Sequence, residues 1–331
     1  MSVAARTVAP GVRIGPLPLP GPLKIVNAYL VEAARGWTLV DCGLHTDEAE
    51  AALRAALGDA GLRMTDVRRA FVTHLHPDHL GMAGTLERAG AEIVMHRPEA
   101  ERARRMWGSD QRLVDETYAW FERHGMPRGS DEGMRAAWLA IGRQVDPVER
   151  MRTVEDGEAL DLGGRTVRVR WTPGHTDGHA VLVDEDAGIL FAGDHVLPRI
   201  TSNVGLYPFS RDDPLGDFLG ALRGVRDLRV RWVLPAHGEP FRDLAGRVDE
   251  LLAHHAARHA APVAAVGPRA RDAHAIGRTL FPVLRSPHEE RFALAETLAH
   301  LRHLERGGRV VEVEGAPARW RVTERSRASA S

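Results

Sequence analysis

The 331-residue sequence contains one cysteine, Cys42, and one lysine, Lys24. A lone cysteine excludes an intrachain disulfide and fits a reducing compartment. Arginine supplies 43 of the 44 basic residues, which reads as the codon bias of a GC-rich genome before it reads as function. No run approaches the ~20 consecutive apolar residues that a membrane span requires. The proline-broken N-terminus lacks the continuous apolar segment of a secretory signal, so the expected location is the cytoplasm. Aromatic residues are scarce at 5%, which leaves no stacking surface for single-stranded nucleic acid. A net charge of −1 gives no bulk attraction to nucleic acid or anionic lipid.

Charge is nevertheless uneven. Residues 251–331 carry 13 arginines against 8 acidic residues, a net +5, so the rest of the chain is acidic. Short apolar runs alternate with helical patterns before that tail. WTLVDCG (37–43) reads as a buried strand, and Thr46 caps a helix running to about Leu57, with Asp47 and Glu48 suiting its positive end. RRAFVTH (68–74) and EIVMH (92–96) read as further strands. Residues 97–150 form a helical insertion, which either packs on the body or covers the site as a lid. RTVRVRW (165–171), HAVLVDE (179–185), GILFAGD (188–194) and RVRWVLPAH (229–237) return to strand patterns. In the tail, Ser286, Pro287 and Glu289 predict a capped helix, stopped at Gly307–Gly308. RVVEVEGAPARWRV then gives two strands, and a helix feeding a hairpin is the ending of a winged-helix module. The predicted division is therefore 1–245 and 246–331.

The segment Thr73-His74-Leu75-His76-Pro77-Asp78-His79 carries the chemistry. His74 and His76 lie two residues apart at a strand end, so both point the same way. The chain then turns into a helix start, where Asp78 and His79 face a second metal. Imidazole and carboxylate together suit Zn²⁺, with Mn²⁺ or Fe as alternatives. Asp41 closes an early strand, His175 lies in TPGHTDGH, Asp194 in FAGDH and His237 in PAHG.

H-x-H-x-D-H after an apolar strand, followed by those motifs in that order, resembles the metallo-β-lactamase superfamily over roughly residues 20–240. The resemblance implies an α+β fold, a four-layer αββα sandwich, with a small C-terminal winged-helix-like domain. It implies that His74, His76 and His175 hold one zinc, that Asp78, His79 and His237 hold a second, and that Asp194 bridges them. Two such ions clamp an attacking hydroxide. Asp78 also orients that nucleophile, and Asp41 orients a ligand histidine. Lactam-cleaving relatives often carry cysteine where this chain has Asp194, so the pattern is closer to the glyoxalase II and thioesterase branches.

LPRITSNVGLYPFSRDDP (197–214) falls where the family builds its substrate wall. Arg199, Asn203, Tyr207 and Arg211 are candidates for gripping an anionic group there, with Tyr207 and His195 as candidate proton donors. His179 reads as structural, as do His45 and His96. The tail histidines 254, 255, 259, 274, 288, 300 and 303 read as a solvated helical face. The expected activity is hydrolysis of a small acyl thioester or ester. Two alternatives follow from the tail: a single-strand ribonuclease of the lactamase-β-2-like type, favoured by the +5 charge, and a regulatory winged-helix protein acting on DNA. The tail also suits a homodimer interface.

Overall fold

The computed structural model describes residues 5–324 except 109–111, 131, 163, 259 and 268; His259 lies outside the described residues. The strands in chain order are β1 (Arg6–Ala9), β2 (Val12–Pro18), β3 (Ile25–Ala33), β4 (Gly36–Val40), β5 (Val67–Val72), β6 (Glu92–His96), β7 (Met151–Val154), β8 (Ala159–Asp161), β9 (Thr166–Trp171), β10 (Ala180–Asp184), β11 (Ile189–Gly193), β12 (Trp232–Pro235), β13 (Val310–Val313) and β14 (Arg319–Val322). The helices are α1 (Asp47–Gly58), α2 (Pro77–Leu80), α3 (Ala83–Arg88), α4 (Arg97–Met106), α5 (Arg112–Arg123), α6 (Glu132–Gly142), α7 (Pro214–Val225), α8 (Leu244–Arg258), α9 (Ala260–Val266), α10 (Ala273–Leu280) and α11 (Pro287–Arg306). Among the described residues no helix is long and apolar enough to cross a membrane.

The chain divides into two compact units. The first comprises residues 1–109, 141–202 and 221–248; the second comprises 110–140, 203–220 and 249–331. The first unit is built on two sheets, with strand orders β1-β2-β3-β4-β5-β6-β7 and β12-β11-β10-β9-β8. Its first four strands form an antiparallel meander, after which β4, β5, β6 and β7 pair in parallel. In the second sheet only β12 is parallel to its neighbour, β11.

Period-two alternation explains how the first sheet is buried on both faces. Tyr29, Val31, Val40, Phe71 and Val94 point to one side and join Val169, Leu182, Ile189, Phe191 and Leu234 of the second sheet in one apolar cluster. Val26, Ala28, Leu30, Leu39, Ala70, Val72, Ile93 and Met95 point to the other and meet Leu53, Leu57, Leu80 and Leu86 of α1, α2 and α3. Each fully buried side chain of this size contributes ~1.5–3 kcal/mol. Two-sided burial is why the parallel strands read as nearly continuous apolar runs.

The second unit holds α5, α9, α10, α11 and the β13-β14 hairpin. Ser286 caps α11 by accepting from Glu289 N–H, and Pro287 occupies its first turn. The Glu289 carboxylate reaches past the cap residue to accept from Arg285 N–H at 2.6 Å, one residue beyond the N–H of the expected reciprocal box. Trp320 of the hairpin is fully buried.

Candidate metal centre

Parallel pairing gathers the carboxyl ends of strands, the usual place for a site in sheets of this type. Asp41 follows β4 and His74 to His79 follow β5, its parallel neighbour. Asp194 follows β11 and His237 follows β12, the other parallel pair. His175 lies on the connection from β9 to β10. All of these residues belong to the first unit.

His74 Nε2, His76 Nδ1 and His175 Nε2 form a triangle with sides of 2.9, 3.0 and 3.2 Å. Burial, reinforced by His79 and His76, holds the His74 pKa well below the usual histidine value, so this triangle concentrates lone pairs where a cation would sit. Asp194 turns its two oxygens to different neighbours. Oδ2 lies 3.4 Å from His175 Nε2, while Oδ1 lies 3.6 Å from His79 Nε2 and 3.5 Å from His237 Nε2. Asp78 Oδ2 completes the second group, 3.4 Å from His237 Nε2 and 3.6 Å from His79 Nε2.

The residues fit divalent ions. His79 Nε2, His237 Nε2 and Asp194 Oδ1 are buried without a hydrogen-bond partner, and each such atom costs ~1–3 kcal/mol if nothing answers it. Three orphans aimed at one another are explained by a shared ligand, and imidazole with carboxylate is a zinc donor set. Burial opposes charge on His79 and His237, but the surrounding carboxylates overcome it. Asp41, Asp78 and Asp194 raise His79 to about 10, and Asp194 and Asp78 raise His237 to about 9. The reverse holds for Asp78: burial would raise it, yet His79 and His237 keep it well below the usual carboxylate range.

The far sides of His74, His79 and His237 are held by residues at or just beyond strand ends. Asp41 accepts from Thr73 N–H (2.8 Å), Thr73 Oγ1 (3.0 Å) and His79 Nδ1 (2.9 Å). With the Thr73 hydroxyl donated to Asp41, His74 Nδ1–H donates to Thr73 Oγ1 at 3.0 Å and leaves Nε2 free to bind. Asp41 adopts φ +58°, a left-handed conformation that aspartate tolerates better than most residues. His237 Nδ1 donates to Ile25 O at 2.8 Å. Asn27 Nδ2 donates to Pro235 O and Gly238 O, and Tyr29 OH to Pro235 O. Asn27 and Tyr29 therefore anchor the His237 turn.

His179 is hydrogen-bonded at both ring nitrogens. Its Nε2 accepts from Asp194 N–H at 3.2 Å and its Nδ1 bonds Thr172 Oγ1 at 2.8 Å. A Cβ on Gly193 would come within 2.8 Å of His179 Nε2, and that glycine has φ +50°, so the residue before Asp194 has little freedom to be anything else. His96 Nδ1 donates to Gly178 O at 2.9 Å. His195 is buried, 6.2 Å from the His179 ring, and is absent from the three donor groups. Burial lowers its pKa to about 4, so it is neutral at pH 7. Arg199 is exposed in the first unit. Asn203, Tyr207 and Arg211 fall in the second unit. There Asn203 Nδ2 donates to Glu296 at 3.0 Å, the Tyr207 ring stacks on Phe209, and Arg211 pairs with Asp217.

Sequence reasoning missed Glu99. It is fully buried on α4 and accepts from Leu75 N–H and Gly178 N–H. Burial pushes its carboxyl up to about 7, against the pull of those hydrogen bonds. Locally it is an ordinary acidic residue in a helix's first turn, so nothing in the flanking sequence marks it.

The profile of the Metallo-beta-lactamase superfamily matches residues 21–237, and that of the Metallo-beta-lactamase-like, C-terminal domain matches 260–325. The probable metallo-hydrolase YqjP of Bacillus subtilis (strain 168) is 26% identical, the alignment covering 71% of this chain and 73% of the relative. The acyl-coenzyme A thioesterase MBLAC2 of Homo sapiens is 30% identical, covering 65% of this chain and 74% of that one. A metallo-beta-lactamase family protein from Thermus thermophilus superposes with a TM-score of 0.86 at 38% identity, covering 96% of this chain and all of the other. A beta-lactamase domain protein from Burkholderia ambifaria gives 0.81 at 31%, covering 96% and 95%.

Proposed function

Because the chain belongs to the metallo-β-lactamase superfamily, we propose that it is a dinuclear zinc hydrolase of small acyl thioesters or esters, with coenzyme A thioesters the first class to test. The observation that carries the reading is Asp194, one carboxylate with an oxygen toward each of two donor groups. Its support for the substrate class is the likeness to an acyl-coenzyme A thioesterase. In this reading His74, His76 and His175 would hold one ion, Asp78, His79 and His237 would hold the other, and Asp194 would be available to both. Zinc bound there supplies Lewis-acid polarisation of the scissile carbonyl and a water acidified to near neutral pH.

The chain's own residues do the rest. Asp78 is the most exposed carboxylate of the set, its side chain 22% accessible, and it is kept ionised. It is therefore placed to accept a hydrogen bond from the attacking water and orient it. Asp41 and Thr73 hold the ligand imidazoles in the tautomer that presents a lone pair. Arg199, exposed after β11, is assigned to the acidic groups of the leaving alcohol or thiol. His195, neutral at pH 7, sits one residue from the spanning carboxylate and is assigned no charge in the resting site.

The test is elemental analysis together with hydrolysis of an acyl-coenzyme A panel and a single-stranded RNA, on wild type and His76→Ala. The expected result is zinc in the wild type and thioester turnover that falls by about 10³-fold or more in the variant. RNA cleavage without thioester turnover would overturn the substrate class. Wild type that takes up no metal and shows no metal-dependent activity would overturn the hydrolase reading of the site.

A further inference from the structure

Helix α4 and its flanking residues are bonded to both loops that carry the first donor triangle, through two residues that are not donors. Leu75, between His74 and His76, gives its N–H to Glu99 Oε1 at 2.9 Å and receives Trp107 Nε1–H on its carbonyl at 2.7 Å. Gly178, three residues after His175, gives its N–H to Glu99 Oε2 at 2.8 Å and receives His96 Nδ1–H on its carbonyl at 2.9 Å. All four backbone polar groups of these two residues thus go to side chains from one stretch, residues 96–107. Arg102, one turn after Glu99, adds an ion pair to Asp177 at 2.7 Å.

Glu99 is the centre of this arrangement. Its two oxygens accept one N–H each from loops that leave different sheets, β5 of the first and β9 of the second. The approach is close enough to dictate sequence: a Cβ on Gly178 would lie 2.5 Å from Glu99 N and 2.6 Å from its Oε2. A carboxylate is the one side chain of this reach with two acceptors and no donor. Glutamine would turn an NH₂ group toward one of the two N–H groups, and one loop would lose its tie.

We propose that Glu99 is a positioning residue that sets the separation between the His74/His76 loop and the His175 loop, and through it the metal affinity of that triangle. The inference rests on reading those three histidines as ligands. A partner in the shell behind metal ligands typically changes affinity by about 10–100-fold when removed.

The experiment compares wild type, Glu99→Gln and Leu53→Ala. Leu53→Ala is a core control in α1, outside both loops, that lowers stability. Each is assayed for zinc affinity by competition with a chromophoric chelator, for the visible spectrum of the cobalt-substituted protein, and for melting of the metal-free form. The expected result is a 10–100-fold weaker zinc affinity and a changed cobalt spectrum in Glu99→Gln, with Leu53→Ala binding as wild type despite a lower melting temperature. Wild-type affinity and spectrum in Glu99→Gln would overturn the inference, and so would an equal loss in Leu53→Ala. If Glu99→Gln does not fold, Gly178→Ala, whose Cβ would meet the Glu99 backbone nitrogen and Oε2 and force the His175 loop away from α4, takes its place under the same two outcomes. A wild-type chain that binds no zinc overturns the ligand reading itself, and the inference with it.

Discussion

His124 shows what a buried histidine costs when nothing answers it. Its ring is fully buried in the second unit, packed edge-on at 4.4 Å from Trp120, and neither nitrogen has a hydrogen-bond partner among the described residues. Burial, with Arg123 and Arg302 adding to it, lowers its pKa to about 4. The unfolded chain binds this proton near pH 6.5, so the unfolded state carries more protons between those values. Stability is therefore complete above pH 6.5 and is lost as the pH falls toward 4. The expected loss attributable to His124 is about 2–3 kcal/mol between pH 7 and 4.5. His124→Phe should remove that share, seen as a shallower fall in urea-unfolding free energy across the same range. Equal slopes in the two proteins would refute the assignment. The contrast with the candidate metal donors is instructive. His74, His76, Asp78 and His79 stood out because four metal-capable groups crowd one strand end, and the structure brings them together. Glu99 was not, because its meaning comes from Leu75 and Gly178, 24 and 79 residues away.

Elements were legible wherever a local signal sufficed. Thr46 accepts from Ala49 N–H as a cap should, and the apolar runs at 37–43, 68–74, 92–96 and 188–194 each contain a strand. Ser286 is the second such signal. Its hydroxyl accepts from Glu289 N–H at 3.2 Å, and the Glu289 carboxylate goes to Arg285 because the extended chain before the cap presents that N–H instead. Ser286→Ala orphans Glu289 N–H and should cost about 1 kcal/mol, read as a lower denaturant midpoint at unchanged slope. A midpoint equal to wild type would show that the cap contributes nothing. What no local signal carries is which helices gather together. Residues 110–140 and 203–220 cluster with the C-terminal segment, a matter of long-range packing that hydrophobic periodicity does not encode.

At the scale of the molecule, the candidate donor residues close the ends of strands from two sheets, so an ion bound there would tie together segments as distant in sequence as His79 and His237. Ligands that bind only the folded state stabilise it by mass action, by ~4 kcal/mol at a thousandfold excess over the dissociation constant. Chelation should therefore lower the melting temperature, and returning zinc should restore it. A transition indifferent to both would contradict the metal reading. The family was readable because five motifs stand in a fixed order along the chain, and order survives when spacing drifts. One small feature of this centre has practical reach. The only thiol, on Cys42, is buried, and its Sγ lies 2.9 Å from the carbonyl oxygen of His79; burial pushes its pKa up, so it is inert while that contact holds. An alkylating reagent can reach it only when the core packing around it opens. The protein thus carries its own stopwatch: the rate at which it takes up a single label counts the openings of the core beside the candidate metal centre, with no probe to be introduced.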